Sequence, residues 1–171
     1  MSSDGTPITV SPSEFDPTGI SIAVIASQFN TDVTDRLVAG AVGCFTEYGL
    51  KRESIEIIRV PGAWELPQAA SLVLRLDRHD AIVTLGCVIR GETPHFDYVC
   101  SAANDGVAAV AREASIPILF GVLTTDNREQ ALARAGKAGR KTAPVRRAAR
   151  TVLFIESGLS CELFSILRTC Y

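Results

Sequence analysis

AIVTLGCVI, residues 81 to 89, is an almost unbroken apolar run that is rich in β-branched side chains. A parallel strand buried on both faces has this composition, whereas a strand with one solvated face alternates apolar and polar residues. The segment that follows, from Phe96 to Ala114, carries apolar side chains at helical spacing. We therefore predict a central β-α unit here, with the sequence RGETPH at 90 to 95 as its connecting loop.

Similar units are predicted on both sides of this stretch. The other predicted strands span 20–27, 54–60 and 116–123, and the other predicted helices run from cap candidates at 30–32 to Gly49, over 64–76, and over about 128–135. Four strands that alternate with helices imply a parallel sheet with right-handed crossovers. The predicted fold is a single three-layer α/β domain, a four-stranded parallel flavodoxin-like sheet with helices on both faces.

The ends of the chain differ from this pattern. Residues 1–19 are polar, contain proline and glycine, and are predicted to be a flexible N-terminal leader. The α/β domain is predicted over 20–154, with a further helix from about Pro144 to Phe154, because proline is tolerated in a first helical turn. Residues 155–171 are predicted to be a C-terminal tail.

Composition limits the classes of function. The chain has 171 residues and is 47% apolar, which suffices for one domain with a sizeable core. A net charge of −2 and a pI near 5.7 give no overall attraction to nucleic acid or anionic membranes. Neither a secretory signal pattern nor an apolar stretch of membrane-spanning length is found. We expect a soluble, cytoplasmic protein that binds small molecules or other subunits.

The cysteines and histidines do not form a metal-binding pattern. The five cysteines are odd in number and form no CxxC pair, which argues against a disulfide framework or a zinc cluster. The two histidines, His79 and His95, lie in different loops, and no nearby cluster of cysteines or carboxylates joins them. No metal site is therefore predicted.

Ligands of an open parallel sheet collect at the carboxyl ends of the strands. This rule selects four loops: SQFN at 27–30, PGAWE at 61–65, RGETPH at 90–95 and LTTDN at 123–127. In the third loop, Gly91, Thr93 and the amides of the next helix suit a phosphate. His95 could exchange protons near neutral pH, although a lone loop histidine is more often a cap or a surface residue.

Two other loops each allow two interpretations. Phe29 could stack on a flat heterocycle while Asn30 bonds to its edge, or the pair could be a hydrophobic staple and an N-cap. Trp64 and Glu65 could form an aromatic wall with a carboxylate for ligand hydroxyls, or Glu65 could be a first-turn acid favoured by the helix dipole. The absence of GxGxxG, P-loop and GxSxG motifs argues against dinucleotide, nucleoside triphosphate and esterase chemistry.

Four segments resemble motifs of the 6,7-dimethyl-8-ribityllumazine synthase family, in the same order and spacing. They are ASQFN at 26–30, VPGAWELP at 60–67, LGCVIRGETPHFDYV at 85–99 and PILFGVLTTDNREQALARAG at 117–136. The resemblance implies condensation of 5-amino-6-(D-ribitylamino)uracil with 3,4-dihydroxy-2-butanone 4-phosphate in riboflavin biosynthesis. The expected products are 6,7-dimethyl-8-ribityllumazine, phosphate and water, and no metal or organic cofactor is implied.

The resemblance also implies roles for individual residues. His95 would be a catalytic residue that moves protons during imine formation and elimination. Gly91, Glu92 through its backbone amide, and Thr93 would contact the phosphate. The other matched positions would hold the pyrimidine ring and the ribityl chain, namely Phe29, Asn30, Ala63, Trp64, Glu65, Cys87, Val88 and Ile89. Trp64 stands where phenylalanine or tyrosine is more usual.

In this family the site lies between subunits, so the resemblance implies a homo-oligomer, either a pentamer or a hollow shell of twelve pentamers. Phe120 and Arg134 match the residues that the adjacent chain contributes, and Arg134 would pair with the phosphate as a second catalytic residue. Beyond Arg134 the chain departs from the family pattern, although Lys141 still matches a substrate-binding lysine. The departure, which includes Pro144 inside an expected helix and makes the tail atypical, concerns assembly more than chemistry.

Two other functions compete with this reading. A non-catalytic lumazine- or flavin-binding shell or carrier protein would keep the pocket and bind ligand without making product. Nucleic-acid binding would use residues 134–150, which carry seven basic residues and no acidic one. That run has no interleaved aromatic residues and the chain is acidic overall, so we expect no nucleic-acid partner.

Overall fold

A computed structural model describes residues 16–136, and four parallel strands form the centre of this part of the chain. The strands are β1 (Ile22–Ser27), β2 (Ile55–Val60), β3 (Ala81–Ile89) and β4 (Ile118–Thr125). The helices are α1 (Thr31–Glu47), α2 (Leu66–Leu74), α3 (His95–Glu113) and α4 (Arg128–Ala135). Short 3-10 helices at Arg52–Ser54 and Ala63–Glu65 precede β2 and α2. The types of all eight elements predicted within this range are confirmed.

The strand order in the sheet is β2-β1-β3-β4, and all three pairings are parallel. This is the predicted flavodoxin-like arrangement. The chain moves outward in one direction from β1 to β2 and then crosses to the other side of β1 with β3. The loops after β1 and β3 consequently diverge and leave a crevice between them, which is the usual ligand position in such sheets.

Helices cover both faces of the sheet and bury it completely at β1. Side chains of a strand alternate between faces. Ile22, Val24 and Ala26 therefore pack with α1 and α4, whereas Ala23 and Ile25 pack with α2 and α3. All five are inaccessible to solvent. Burial of one large aliphatic side chain stabilises a fold by about 1.5–3 kcal/mol, so this two-sided core accounts for the continuous apolar composition of the strands.

Two glycines permit close packing between elements. A Cβ built on Gly106 of α3 would lie 2.6 Å from Cγ of Pro67 in α2, so the proline ring packs directly against the α3 backbone at this point. A Cβ on Gly121 of β4 would lie 2.6 Å from Cδ2 of Leu85 on the neighbouring strand. Both distances are shorter than carbon atoms tolerate, so a larger residue at either position requires neighbouring atoms to move.

Several predictions from the sequence lie outside the described residues. They are the leader up to residue 15, the helix from Pro144 to Phe154, the tail at 155–171, and Lys141. The end of the predicted leader is included, and it forms a turn in which Ile20 N–H donates to the Pro17 carbonyl at 3.2 Å. Among residues 16–136, none of the helices combines the length and hydrophobicity that crossing a bilayer would require.

Candidate active site

A cavity of about 430 Å³ opens at the carboxyl ends of β1, β2 and β3, beside the crevice described above. Its size falls within the range of small-molecule sites. It is lined by Phe29, Pro61, Gly62, Ala63, Trp64, Glu65, Cys87, Val88, Ile89, Gly91, Thr93, His95, Phe96 and Val99. Three of the four loops selected from the sequence therefore meet in one place. The fourth, LTTDN at 123–127, supplies no lining residue.

Asn30 connects the loop after β1 to the end of β3. It occupies the predicted N-cap position of α1, but its side chain makes no capping hydrogen bond. Instead, Nδ2 of Asn30 donates to the carbonyl oxygen of Cys87 at 3.0 Å. The preceding residue, Phe29, donates its backbone N–H to the Pro61 carbonyl at 3.0 Å, and its ring is 71% exposed at the cavity. Asn30 thus supports the cavity wall from behind, while Phe29 presents an aromatic face to it.

Glu65 stabilises the loop after β2 through a hydrogen bond within that loop. The Gly62 N–H donates to Oε2 of Glu65 at 2.8 Å, which is half of a capping box at the start of the 3-10 helix. The first-turn role considered from the sequence is therefore present. The second carboxylate oxygen has no hydrogen bond within the described residues and can accept one from a ligand hydroxyl. Trp64 stands beside it with 57% of its surface exposed, and Ala63 is buried below.

The RGETPH loop turns from β3 into α3. Gly91 and Thr93 line the cavity and Glu92 does not, although all three residues are exposed. A Cβ on Gly91 would meet no atom within 4 Å, and the backbone there does not adopt a positive φ. Folding does not require glycine at this position. A ligand that approaches the backbone closely would require it, because any side chain would occupy the same space.

His95 is the first residue of α3 and lines the cavity. Its ring is exposed and has no hydrogen-bond partner within residues 16–136. The ring is therefore accessible to a ligand, and imidazole is the side chain used most often for general acid-base catalysis. The backbone amides of the first helical turn point towards the same region, where they favour an anion.

Burial disfavours the thiolate form of the two described cysteines near the cavity. The Cys87 side chain is nearly inaccessible, and this burial, assisted by the negative charge of Asp32, raises the pKa of its thiol to about 11. Burial also raises the pKa of Cys100; Asp97 acts in the same direction and Arg90 opposes it. Only the thiolate attacks electrophiles efficiently. Within the described chain, no group of three or more metal-ligating side chains is placed to hold a metal ion.

A model of the 6,7-dimethyl-8-ribityllumazine synthase family matches residues 19–156 of the sequence. The chain belongs to this family. It is 54% identical over 121 residues to the 6,7-dimethyl-8-ribityllumazine synthase of Nautilia profundicola, a match that covers 70% of this chain and 79% of the relative. It is 51% identical over 118 residues to that of Desulfosudis oleivorans, covering 69% and 75%. The synthase of Nitratidesulfovibrio vulgaris is 46% identical over 129 residues, covering 75% and 83%.

Two residues that the lumazine synthase resemblance assigns to the site lie away from this cavity. Phe120 is half-buried on β4 and packs against the α2 and α3 side of the core. Arg134 is exposed in the last turn of α4, where Nη1 donates to the Gln130 carbonyl at 3.1 Å. Arg134 lies away from the cavity because α4 covers the opposite face of the sheet from α3. Phe120 lies on the same face as α3 but is not among the residues that line the cavity.

Four lining residues were not singled out from the sequence, namely Pro61, Gly62, Phe96 and Val99. Pro61 and Gly62 belong to a loop that had been selected, but only their neighbours were assigned a contact. Phe96 and Val99 were interpreted as the core face of α3. Because α3 starts inside a ligand loop, the first residues of its apolar face border the cavity before the helix reaches the core. Apolar residues in the first two turns after such a loop are the signal that would have identified them.

Proposed function

We propose that this lumazine synthase family member condenses 5-amino-6-(D-ribitylamino)uracil with 3,4-dihydroxy-2-butanone 4-phosphate to 6,7-dimethyl-8-ribityllumazine, phosphate and water in riboflavin biosynthesis. The proposal rests on the cavity in which an aromatic face, a hydroxyl-accepting carboxylate, an anion-binding helix start and an accessible histidine converge. The family match over residues 19–156 supports the proposed domain limits of 20–154. We expect no cofactor to take part, because condensation and elimination need only proton transfer.

The pyrimidine substrate is proposed to lie between Phe29 and the end of β3. The exposed ring of Phe29 offers a stacking surface, and the strand segment from Cys87 to Ile89 offers backbone groups to the ring edge. The Cys87 carbonyl already accepts from Asn30, so Asn30 acts through this wall. The ribityl chain extends along Ala63 and Trp64 and reaches the second oxygen of Glu65.

The phosphate of the other substrate is proposed to bind at the RGETPH loop. The amides of Gly91, Glu92 and Thr93 and the first turn of α3 supply positive partial charge, and the Thr93 hydroxyl can donate a further hydrogen bond. The absence of a side chain at Gly91 leaves room for the phosphate oxygens. An anion held here places the attached ketone close to His95.

Proton transfer by His95 then links the steps. The amine of the uracil attacks the ketone carbonyl, and the carbinolamine loses water to form an imine, for which a proton must leave nitrogen and reach the departing oxygen. Loss of phosphate also needs a proton to be removed from carbon. Loss of phosphate leaves an enol that tautomerises to a ketone. The ribitylamino nitrogen attacks this ketone, which closes the second ring and releases the second water. A positioned imidazole accelerates steps of this kind by about a hundredfold to ten-thousandfold.

We also propose a homo-oligomer, a pentamer or a shell of twelve pentamers, in which Phe120 and Arg134 of an adjacent subunit complete each cavity. Arg134 is suited to this role because a guanidinium binds phosphate through two parallel hydrogen bonds. Lys141 is proposed to add a second cation. Exposed apolar side chains of Leu72 in α2, Leu76 just after α2 and Tyr98 in α3 support a subunit contact on this side of the sheet. Reduced thiols at Cys87 and Cys100 fit a cytoplasmic location.

The experiment that tests this function mixes the purified protein with both substrates and follows lumazine formation by absorbance, with light scattering on the same sample. Formation above the rate without protein is expected, from an oligomer. If a folded oligomer binds the lumazine tightly but forms no product, the result would instead support a non-catalytic binding or carrier function. A monomer that makes product would contradict the shared site, since Arg134 would then not be needed from a neighbour.

A further inference from the structure

We propose that Arg90 is a positioning residue for the reaction, which holds the RGETPH loop in place and neutralises two carboxylates beside the phosphate position. This inference rests on the proposed function, because it concerns the same cavity. Arg90 does not line the cavity itself. It acts through neighbouring residues that line the cavity.

Arg90 connects three elements through its backbone and its side chain. Its backbone N–H donates to the Thr125 carbonyl at 2.8 Å, which continues the pairing of β3 with β4 by one residue. Nη1 of the guanidinium contacts Oδ1 of Asp97 in the first turn of α3 at 3.3 Å, and Nε contacts Oδ1 of Asp126 after β4 at 3.3 Å. One planar group therefore joins the end of β3, the start of α3 and the loop after β4.

The residues between these attachment points are held by little else. Within the described chain, the backbone hydrogen bonds of the stretch 90–97 outside regular elements are those from Arg90 to Thr125 and from Asp97 to Pro94. Gly91, Thr93 and His95 are all exposed. Because the Arg90 side chain reaches from one end of the loop to the other, it limits the positions that His95 can adopt.

The guanidinium also fixes one wall of the cavity. Its central carbon lies 4.1 Å from the ring centroid of Phe96, which lines the cavity directly after His95. A planar guanidinium can stack on the ring and bond to two carboxylates at the same time, whereas an ammonium group on a flexible stem cannot do both. A lysine at position 90 would keep the charge and lose this geometry.

Charge is the second part of the role. Asp97 and Asp126 place two negative charges next to the loop proposed to bind a phosphate, and Arg90 contacts both. Without Arg90 these carboxylates would repel the anionic substrate. The three side chains are 46% to 69% exposed, so the pairs add little to global stability and the repulsion weakens in salt. The expected consequence is local and kinetic.

The test compares Arg90→Gln and Arg90→Lys with a matched control, Arg112→Gln. Arg112 lies in the last turn of α3, at the far end of that helix from Arg90. For Arg90→Gln we expect KM for the butanone phosphate to rise about tenfold at low salt and less at high salt, and kcat to fall several-fold. The KM for the uracil should change less than twofold. Arg90→Lys should restore the KM but not kcat. Arg112→Gln should match the wild type.

A second substitution isolates the charge. In the double variant Arg90→Gln/Asp126→Asn, removal of one uncompensated carboxylate should lower the KM for the phosphate substrate relative to Arg90→Gln alone. Thermal unfolding of all variants should stay within a few degrees of the wild type. Equal kinetics for Arg90→Gln and Arg112→Gln would overturn the proposal, as would full recovery of kcat in Arg90→Lys, because geometry would then not matter.

Binding of inorganic phosphate, measured by calorimetry, separates this proposal from the proposed function. If the wild type forms no product but binds phosphate, and Arg90→Gln binds it about tenfold more weakly than Arg112→Gln does, the reaction assignment fails while the role of Arg90 at the phosphate position stands. If the wild type is active and both variants bind phosphate and turn over equally, the reaction stands and the role of Arg90 is wrong.

Discussion

The Asn30 side-chain amide donates a hydrogen bond to the Cys87 carbonyl oxygen, and this contact joins the start of α1 to the last residues of strand β3. Asn30 also has a left-handed backbone, with φ 60° and ψ 50°. Asparagine tolerates this conformation better than most residues with a Cβ. A single residue thereby sets both the path of the chain into α1 and the position of the cavity wall.

Substitution of Asn30 separates these two contributions. Asn30→Gly keeps the backbone conformation and loses the hydrogen bond, so we expect a loss of about 0.5–1.5 kcal/mol in the free energy of unfolding. Asn30→Ala should cost about 1–2 kcal/mol more, because alanine is strained at positive φ. Denaturant unfolding at one fixed protein concentration measures both. Asn104→Ala, on the exposed face of α3, is the control. Equal losses for the two Asn30 variants would show that the backbone conformation is not strained.

The fold could be predicted from the sequence because each element carries its own periodicity. Both ends of β3 were predicted correctly, since charged residues bound the apolar run. The strand β4 was predicted two residues too early, at 116–123 instead of Ile118–Thr125. Thr124 and Thr125 are polar but pair with Val88 and Ile89 of β3. The end of β4 is set by its pairing register with β3, which no local sequence pattern encodes.

The candidate site, like the fold, could be predicted from the sequence only in part. Topology alone brings the loops after β1, β2 and β3 together, so a parallel-sheet prediction was enough to select them. The contacts behind the cavity could not be predicted in this way. Asn30 bonds to a residue 57 positions away, and Arg90 bonds to one 36 positions away. Such pairs depend on the relative placement of whole elements, which side-chain chemistry at one position does not specify.

Replacement of His95 tests its proposed role in proton transfer. His95→Ala should lower kcat by about a hundredfold to ten-thousandfold, the usual contribution of a general acid-base residue, while binding of the uracil substrate persists. Trp64 is the only tryptophan of the chain and lines the cavity, so its fluorescence reports on binding. His95→Gln, which keeps polarity without a titratable ring, should be similarly slow. An unchanged kcat would remove His95 from the mechanism.

Gly91→Ala tests whether the open space at this residue belongs to the ligand. The added methyl group meets no atom of the described chain and needs no unusual φ, so the melting temperature should be close to that of the wild type. Affinity for inorganic phosphate should nevertheless fall at least severalfold, because the methyl group occupies space needed by the phosphate oxygens. Calorimetric titration measures the affinity. Unaltered phosphate affinity would show that the anion does not approach Gly91.

Gly106→Ala tests the contact between α2 and α3. Alanine favours a helix over glycine by up to about 1 kcal/mol, but its Cβ would lie 2.6 Å from a rigid proline ring, and overpacking costs about 1–3 kcal/mol. We therefore expect a net loss of stability. Gly43→Ala is the matched control, because it lies inside α1 with open space around its Cβ and should be neutral or stabilising. A stabilised Gly106→Ala protein would show that the helices can move apart at little cost.

The raised pKa of Cys87 predicts how this thiol reacts with alkylating reagents. Burial favours the neutral thiol and raises its pKa to about 11, so the thiolate is scarce at neutral pH. A shift of about two pKa units lowers the thiolate fraction about a hundredfold at pH 8, relative to an ordinary thiol. The alkylation rate in the folded protein should then rise about tenfold per pH unit and level off only near pH 11.

Peptide-resolved mass spectrometry after timed alkylation measures this rate at Cys87 and, in the same digest, at the less buried Cys100. Cys100 should react faster, although its pKa is raised as well. The protein unfolded in denaturant is the reference for both thiols. A bound pyrimidine substrate should slow Cys87 further, since the residue lines the proposed ring site. If Cys87 reacts at pH 8 as fast in the folded protein as in the unfolded one, the thiol is neither shielded nor perturbed, and the wall formed by β3 is open to solvent.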